Sequence, residues 1–233
     1  MTATTATEIL GSGAIANFHV DDLPQVQGTQ VSSWIDRVNS IDAFQATAAK
    51  QPTVDLAGGG VLFDGVDDTL EISDALLDVG RIAVIAVHQV ISAASAETYY
   101  LYGPSTGYIR LRSAGASLGT YSVQHTSPVY ITPTSYKANS SLHVVAARFD
   151  KQALQFAVDD ECASISQDTS ATSQLSSDEF WIGSRHGSLQ YGHFCLKELL
   201  IVDLNMTAWY KCLEAATQLR VDYGTGSIDL TPT

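Results

Sequence analysis

The sequence is short of basic side chains. Its 233 residues include 12 lysines and arginines against 25 aspartates and glutamates, so the formal net charge is −13. Attraction to phosphate backbones and anionic membranes comes from clustered lysine and arginine, and the composition therefore argues against both as partners. Charged residues make up only 16% of the chain, against about 25% in an ordinary domain. A surface of uncharged polar residues suits strands and loops better than solvated helices.

Long hydrophobic runs and a cysteine framework are also missing. No apolar run approaches the ~20 residues that span a bilayer, and the N-terminus has no basic segment leading into an apolar one. We therefore expect neither a membrane span nor a secretion signal. Three cysteines, Cys162, Cys195 and Cys212, are too few for a disulfide framework. We expect three reduced thiols, at least two of them buried, in a chain folded in a reducing cytosol.

Short apolar stretches separated by turn residues fill most of the chain, which is typical of a β-sandwich. Residues 81–90 form a β-branched run that predicts a central strand buried on both faces. Apolar residues at helical spacing, between Thr207 as N-cap and Gly224 as stop, predict one helix. The predicted fold class is all-β: a two-sheet antiparallel jelly-roll sandwich with one C-terminal helix.

The distribution of apolar residues divides the chain into two parts. Residues 1–14 are small and polar, with little to bury, and predict a flexible or partner-docking N-terminal arm. Residues 15–233 show neither a repeat of solenoid length nor a boundary. They predict a single jelly-roll domain.

Several motifs resemble a known family. They are residues 28–36 (GTQVSSWID), 45–47 (QAT), 51–53 (QPT) and 61–70 (VLFDGVDDTL), followed at the far end by 180–183 (FWIG) and 194–203 (FCLKELLIVD). Over about residues 17–224 the chain is similar to the laminin-G-like, concanavalin A-like jelly-roll domains of phage and bacterial surface proteins. The resemblance implies two packed antiparallel sheets that bind carbohydrate or protein and carry out no reaction. We expect Trp34 and Phe63 to anchor the core, since aromatic side chains bury the most area.

Tyrosines are concentrated in one segment, which holds seven of the ten between residues 92 and 137, among glycine, serine and threonine. Tyrosine gives a binding loop a rigid, amphipathic contact area, although it also simply suits β-strands. The composition predicts an exposed ligand-binding surface, on which a sugar ring would stack. We assign it to Tyr99, Tyr100, Tyr102, Tyr108 and Tyr121.

Three aspartates, Asp64, Asp67 and Asp68, fall within five residues. Hard oxygen ligands on one loop suit Ca²⁺, and this spacing therefore makes them a candidate calcium site. The alternative is that they only form sharp turns by bonding to the backbone.

Catalysis is not predicted. Glycosidases need two carboxyl groups facing one substrate, and the acidic run at residues 159–161 offers only Asp159 and Glu161 on one face, at a turn. We predict a non-catalytic bacteriophage virion protein, a capsid decoration or tail adhesin that is made in the host cytoplasm and forms a homo-oligomer or part of an assembly. It would bind neighbouring virion subunits and host-surface glycans. The alternatives are a stand-alone bacterial carbohydrate-binding module and, as a third choice, a polysaccharide lyase or glycoside hydrolase.

Overall fold

The computed structural model describes residues 4–72, 81–92, 98–104, 107–112, 120–125, 130–131, 141–149, 154–159, 161–165, 180–184 and 191–225. Its sixteen strands are β1 (Ala14–His19), β2 (Ser33–Ile35), β3 (Asp42–Phe44), β4 (Thr53–Asp55), β5 (Gly60–Asp64), β6 (Leu70–Ile72), β7 (Ile82–Ser92), β8 (Thr98–Pro104), β9 (Gly107–Arg112), β10 (Thr120–His125), β11 (Tyr130–Ile131), β12 (Leu142–Phe149), β13 (Leu154–Val158), β14 (Glu161–Ile165), β15 (Phe180–Ile182) and β16 (His193–Asp203). Two α-helices complete it, α1 (Ala6–Leu10) and α2 (Trp209–Asp222), together with 3₁₀ turns at Gly11–Gly13, Val20–Asp22 and Ala48–Lys50.

The strands form two eight-stranded sheets. Sheet A has the order β14-β13-β12-β7-β16-β5-β4, and β1 also pairs with β16. Sheet B has the order β11-β10-β9-β8-β15-β6-β3-β2. Neighbouring strands in the described part run antiparallel throughout. The predicted all-β sandwich with one C-terminal helix is confirmed.

The main core lies between the two sheets. Trp34 of sheet B and Phe63 of sheet A are fully buried in it, as the sequence predicts. Phe63 stacks on Phe194, with ring centroids 4.8 Å apart. Aromatic side chains that bury 150–250 Å² each dominate such an interior.

A second core explains why β7 is apolar on both faces. Along β7, Ile82, Val84 and Ala86 belong to the core between the sheets. Ala83 and Ile85 alternate with them and pack in a second cluster, which contains side chains of both α1 and α2. The molecule therefore has three layers, sheet B, sheet A and helices, and the strand predicted from residues 81–90 is buried on both faces.

The predicted C-terminal helix is present and begins one residue late. The N-cap is Ala208, which makes no side-chain hydrogen bond, and so the prediction of Thr207 as N-cap was wrong. The helix ends where expected, since Gly224 follows with a φ of 70°. Its buried side includes Cys212, which together with the buried Cys195 confirms two of the predicted interior thiols; the side chain of Cys162 lies outside the described part. Within the described ranges, no helix is long and apolar enough to cross a bilayer.

Part of the predicted N-terminal arm packs on the domain. Ala6–Leu10 form α1, and Ala6 and Leu10 are each only 3% exposed in the second core. A capping box starts it: the Glu8 N–H donates to Thr5 Oγ1 at 3.2 Å, and the Thr5 N–H donates to Glu8 Oε2 at 2.7 Å. These two apolar side chains lie four residues apart on one face of the helix and pack it on its own chain.

Candidate functional site

One row of paired residues crosses sheet B from strand to strand. Four of its members have described side chains: Ser33 and Phe44 are exposed, while Glu71 and Trp181 are half-buried. Their immediate neighbours along each strand, such as Trp34 and Ile182, are buried. We call this row the outer row; in strand order from β2 to β11 it consists of Ser33, Phe44, Glu71, Trp181, Gly103, Tyr108, Gln124 and Tyr130. Gly103 is aligned with Tyr108 by continuing the pairing of Tyr102 with Ile109 by one residue.

The outer row alternates regularly in chemistry. Aromatic residues occupy every second strand, at Phe44, Trp181, Tyr108 and Tyr130, and the strands between them carry serine, glutamate, glycine and glutamine. Neighbouring strands are about 4.8 Å apart, and the aromatic positions are therefore about 10 Å apart along a line across the sheet. The row is a series of evenly spaced ring positions with polar or open positions between them.

The five predicted tyrosines lie in different cross-strand rows of sheet B. Tyr108 belongs to the outer row, opposite Gln124. Tyr100 lies opposite Arg110 in a row two residues further along β9. Tyr102 pairs with Ile182 on β15 and with Ile109 on β9. Tyr99 and Tyr121 both pair with Leu111, the residue after Arg110 on β9. The side chains of the five lie outside the described part, and their assignment to a binding surface stays a prediction.

The three aspartates of the candidate calcium site are close together. Their nearest carboxylate oxygens lie within 4.8 Å of one another. Asp64 Oδ1 accepts the Val66 N–H at 2.7 Å and Asp68 Oδ2 accepts the Asp64 N–H at 2.9 Å, so the turn-forming role is confirmed. Burial raises the pKa of the Asp68 carboxyl to about 7, and the charges of Asp64 and Asp67 add to this. The turn bonds leave four carboxylate oxygens, two of Asp67 and one each of Asp64 and Asp68, and the assignment of these residues to Ca²⁺ stays a prediction.

A polar pocket that the sequence did not reveal lies beside the end of α2. Its volume is about 600 Å³, and its wall includes Asn17 and His19 of β1, Glu198 of β16 and Tyr223, the residue after α2. A β-bulge between Leu196 and Glu198 shifts the alternation of β16. Glu198 would otherwise share the face of Leu196 and enter the main core; the bulge turns it toward the pocket.

A directed hydrogen-bond chain ends at Glu198. The Asp21 N–H donates to His19 Nδ1 at 3.1 Å, so the imidazole proton is on Nε2 in the neutral ring. That Nε2–H donates to Tyr223 Oη at 3.1 Å, and the Tyr223 hydroxyl donates to Glu198 Oε2 at 3.0 Å. Burial raises the pKa of Glu198, while the charges of His19 and Arg37 and the hydrogen bonds from Tyr223 and Asn17 act in the opposite sense. Burial next to this carboxylate also raises the pKa of Tyr223.

Asp159, one member of the carboxylate pair considered from the sequence, forms hydrogen bonds within sheet A. Its Oδ1 accepts the Val144 N–H at 3.0 Å, and its Oδ2 is 2.8 Å from His143 Nδ1. The side chain of Glu161 lies outside the described part. The contacts of Asp159 tie the end of β13 to β12.

Comparisons with known proteins show the fold. No protein-family model and no curated protein matches the chain, but solved structures do. Trypanosoma rangeli sialidase matches with a TM-score of 0.64 and 14% identity over 92% of this chain and 34% of that chain. Domain 4 of AbnA, a GH43 extracellular arabinanase of Geobacillus stearothermophilus solved in complex with arabinotriose, matches with a TM-score of 0.55 and 13% identity over 82% of this chain and 92% of that one. The botulinum neurotoxin serotype D binding domain matches with a TM-score of 0.56 and 9% identity over 82% of this chain and 48% of that one. The chain spans about a third of the length of the sialidases that it matches.

Proposed function

We propose that this chain is a non-catalytic carbohydrate-binding β-sandwich, and that a glycan lies along the outer row of sheet B. The observation that carries the proposal is the alternation of aromatic and polar positions across all eight strands. An aromatic ring offers an apolar face to the C–H face of a sugar, and the polar positions beside it offer partners for hydroxyl groups. A regular spacing of rings suits a linear oligosaccharide.

The structural comparisons support the same class of ligand. The arabinanase domain, of which the match covers 92%, was solved in complex with arabinotriose. The match to sialidase covers only 34% of that enzyme, and the enzyme's activity is therefore not part of the proposal. The proposal includes Tyr100 and Tyr108 among the predicted tyrosines, and its support there is that they pair with Arg110 and Gln124 on neighbouring strands of sheet B.

A glycan array probed with the purified chain tests the proposal, with arabino-oligosaccharides and sialylated glycans among the ligands. Phe44 is 49% exposed, so Phe44→Ala removes a ring without opening the core. We expect Phe44→Ala and Trp181→Ala each to weaken binding about tenfold or more, because each removes apolar area that the sugar would cover.

Tyr210→Ala is the matched control. Tyr210 is 65% exposed on α2, on the side of the molecule away from sheet B, and its loss should leave glycan affinity unchanged. Failure of every glycan to bind would overturn the proposal. Equal affinity of the Phe44→Ala variant and the unaltered chain would overturn the placement on the outer row.

The position of the chain on a bacteriophage virion, bound to neighbouring subunits or displaying a glycan-binding surface, is a separate proposal. Its support is the laminin-G-like sequence pattern around Trp34 and Phe63. Mass spectrometry of purified particles tests it, and absence of the chain from the particles would overturn this placement without affecting the glycan proposal.

A further inference from the structure

The carboxylate of Glu198 is buried, and its nearest basic group is the imidazole of His19. Its side chain is 7% exposed, and no lysine or arginine among the described residues forms an ion pair with it. Arg37 lines the same pocket, but its guanidinium is held by both carboxylate oxygens of Asp22, at 2.6 and 3.0 Å. His19 is 3.8 Å from Glu198 and carries its proton toward Tyr223. A buried carboxylate is costly unless a positive group compensates it.

A second unsatisfied acceptor lies in the same wall. Asn17 is 5% exposed, and its Nδ2 donates to Thr7 Oγ1 at 3.0 Å. Its Oδ1 is buried and has no hydrogen-bond partner in the described part of the chain, which also costs free energy. Asp21 and Asp222 line the pocket too. The lining therefore has an excess of hydrogen-bond acceptors and of negative charge.

We propose that this pocket binds a primary ammonium group, with Glu198 as counter-ion and Asn17 as a second acceptor. An ammonium group has three donors and no acceptor, which complements a carboxylate, an amide oxygen and neighbouring hydroxyl groups. Calcium would need six to eight oxygens, more than this wall supplies. The volume of about 600 Å³ is in the range of small-molecule sites, so the ammonium is carried on a larger molecule.

Two sources can supply the group, an amino sugar and a lysine side chain, and matched pairs of probes distinguish them. Glucosamine is compared with glucose, and Nα-acetyl-lysine amide with Nα-acetyl-norleucine amide, by calorimetric titration of the full chain. We expect at least one ammonium compound to bind and its neutral match not to bind. Glu198→Gln should weaken that binding about tenfold or more, because it removes a charge-assisted hydrogen bond.

Glu198→Gln keeps the shape of the side chain and removes a buried charge, so it should fold. Asp222→Asn, at the rim of the pocket, is the second variant, and we expect it to weaken ammonium binding less than Glu198→Gln does. Trp181→Ala, on sheet B, should leave ammonium binding unchanged. This separates the pocket from the glycan surface proposed above. Binding of the neutral compound as tightly as its ammonium partner, no binding of either ammonium compound, or full binding by Glu198→Gln would each overturn the proposal.

Discussion

His143 lies opposite His88 where β12 pairs with β7, and Nδ1 of His143 is 2.8 Å from Oδ2 of Asp159. His88 is fully buried in the centre of sheet A. Burial lowers the pKa of His88 from 6.5 to about 3; the charge of His143 acts in the same sense and that of Asp159 against it. The native sheet therefore requires a neutral imidazole at this position.

This requirement predicts a loss of stability in acid. In the unfolded chain His88 takes up a proton below about pH 6.5, whereas in the folded chain it does so only near pH 3. The contribution of His88 to the free energy of unfolding should thus have its full value above pH 6.5. It should fall as the pH drops toward 3, with a slope of up to about 1.4 kcal/mol per pH unit from this group. Urea unfolding at several pH values measures it.

His88→Gln, which does not titrate, should reduce that slope by up to about 1.4 kcal/mol per pH unit. The variant should be less stable than the unaltered chain at neutral pH, and the difference should narrow as the pH falls. Between pH 7 and 8 the variant and the unaltered chain should show parallel curves, because the imidazole is neutral there in both states. Parallel curves between pH 4 and 6 as well would contradict the prediction.

Much of the fold follows from local sequence. The large aromatic side chains of Trp34 and Phe63 predict their burial, and the unbroken apolar run of β7 predicts a strand covered on both faces. The apolar run does not show which elements pack on the second face of β7. In the structure these elements are α1 and α2. The signature of α1, threonine at position 5 and glutamate at position 8, is visible in the sequence as a capping box, but the small residues around it indicated an arm.

The pocket and the outer row depend on long-range pairing. His19 and Tyr223 are 204 residues apart in sequence, and a bulge of one residue decides which way Glu198 points. The outer row likewise needs the register of eight strands, since a slip of one residue would exchange its members with the buried set. Composition could indicate that tyrosines are abundant near residue 100, but not that Phe44 and Trp181 share a row with Tyr108.

Removal of one hydroxyl tests the hydrogen-bond chain. Tyr223→Phe deletes the donor to Glu198 and the acceptor of His19, so we expect a loss of about 1–3 kcal/mol in the free energy of unfolding, as for a buried charged group that loses a partner. Urea unfolding measures it. Tyr210→Phe makes the same chemical change at an exposed position next to the start of the same helix and should change stability by less than about 0.5 kcal/mol. Equal effects of the two variants would contradict the assigned role.

The packing of α1 predicts a large effect from a residue near the N-terminus. Leu10→Ala leaves a cavity between α1, α2 and sheet A, and should lower the free energy of unfolding by about 2–5 kcal/mol. Val26→Ala removes apolar atoms from a side chain that is 61% exposed and should have an effect within about 0.5 kcal/mol. Thermal and urea unfolding of both variants provide the comparison. An unchanged stability of the Leu10→Ala variant would contradict the packing of α1 and would favour the flexible arm that composition predicts.

The aspartate turn predicts a response to calcium. If Asp64, Asp67 and Asp68 hold the ion, Ca²⁺ raises the melting temperature of the chain by mass action on the folded state, and EDTA reverses the rise. Asp67→Asn should abolish the rise, because it removes a charge from the carboxylates that converge there while leaving both turn hydrogen bonds, to Asp64 Oδ1 and Asp68 Oδ2, in place. Mg²⁺ is the control ion, since it demands a smaller and stricter octahedron and should raise the melting temperature less. A melting temperature that is the same in Ca²⁺ and in EDTA would leave these aspartates with the turn as their whole role.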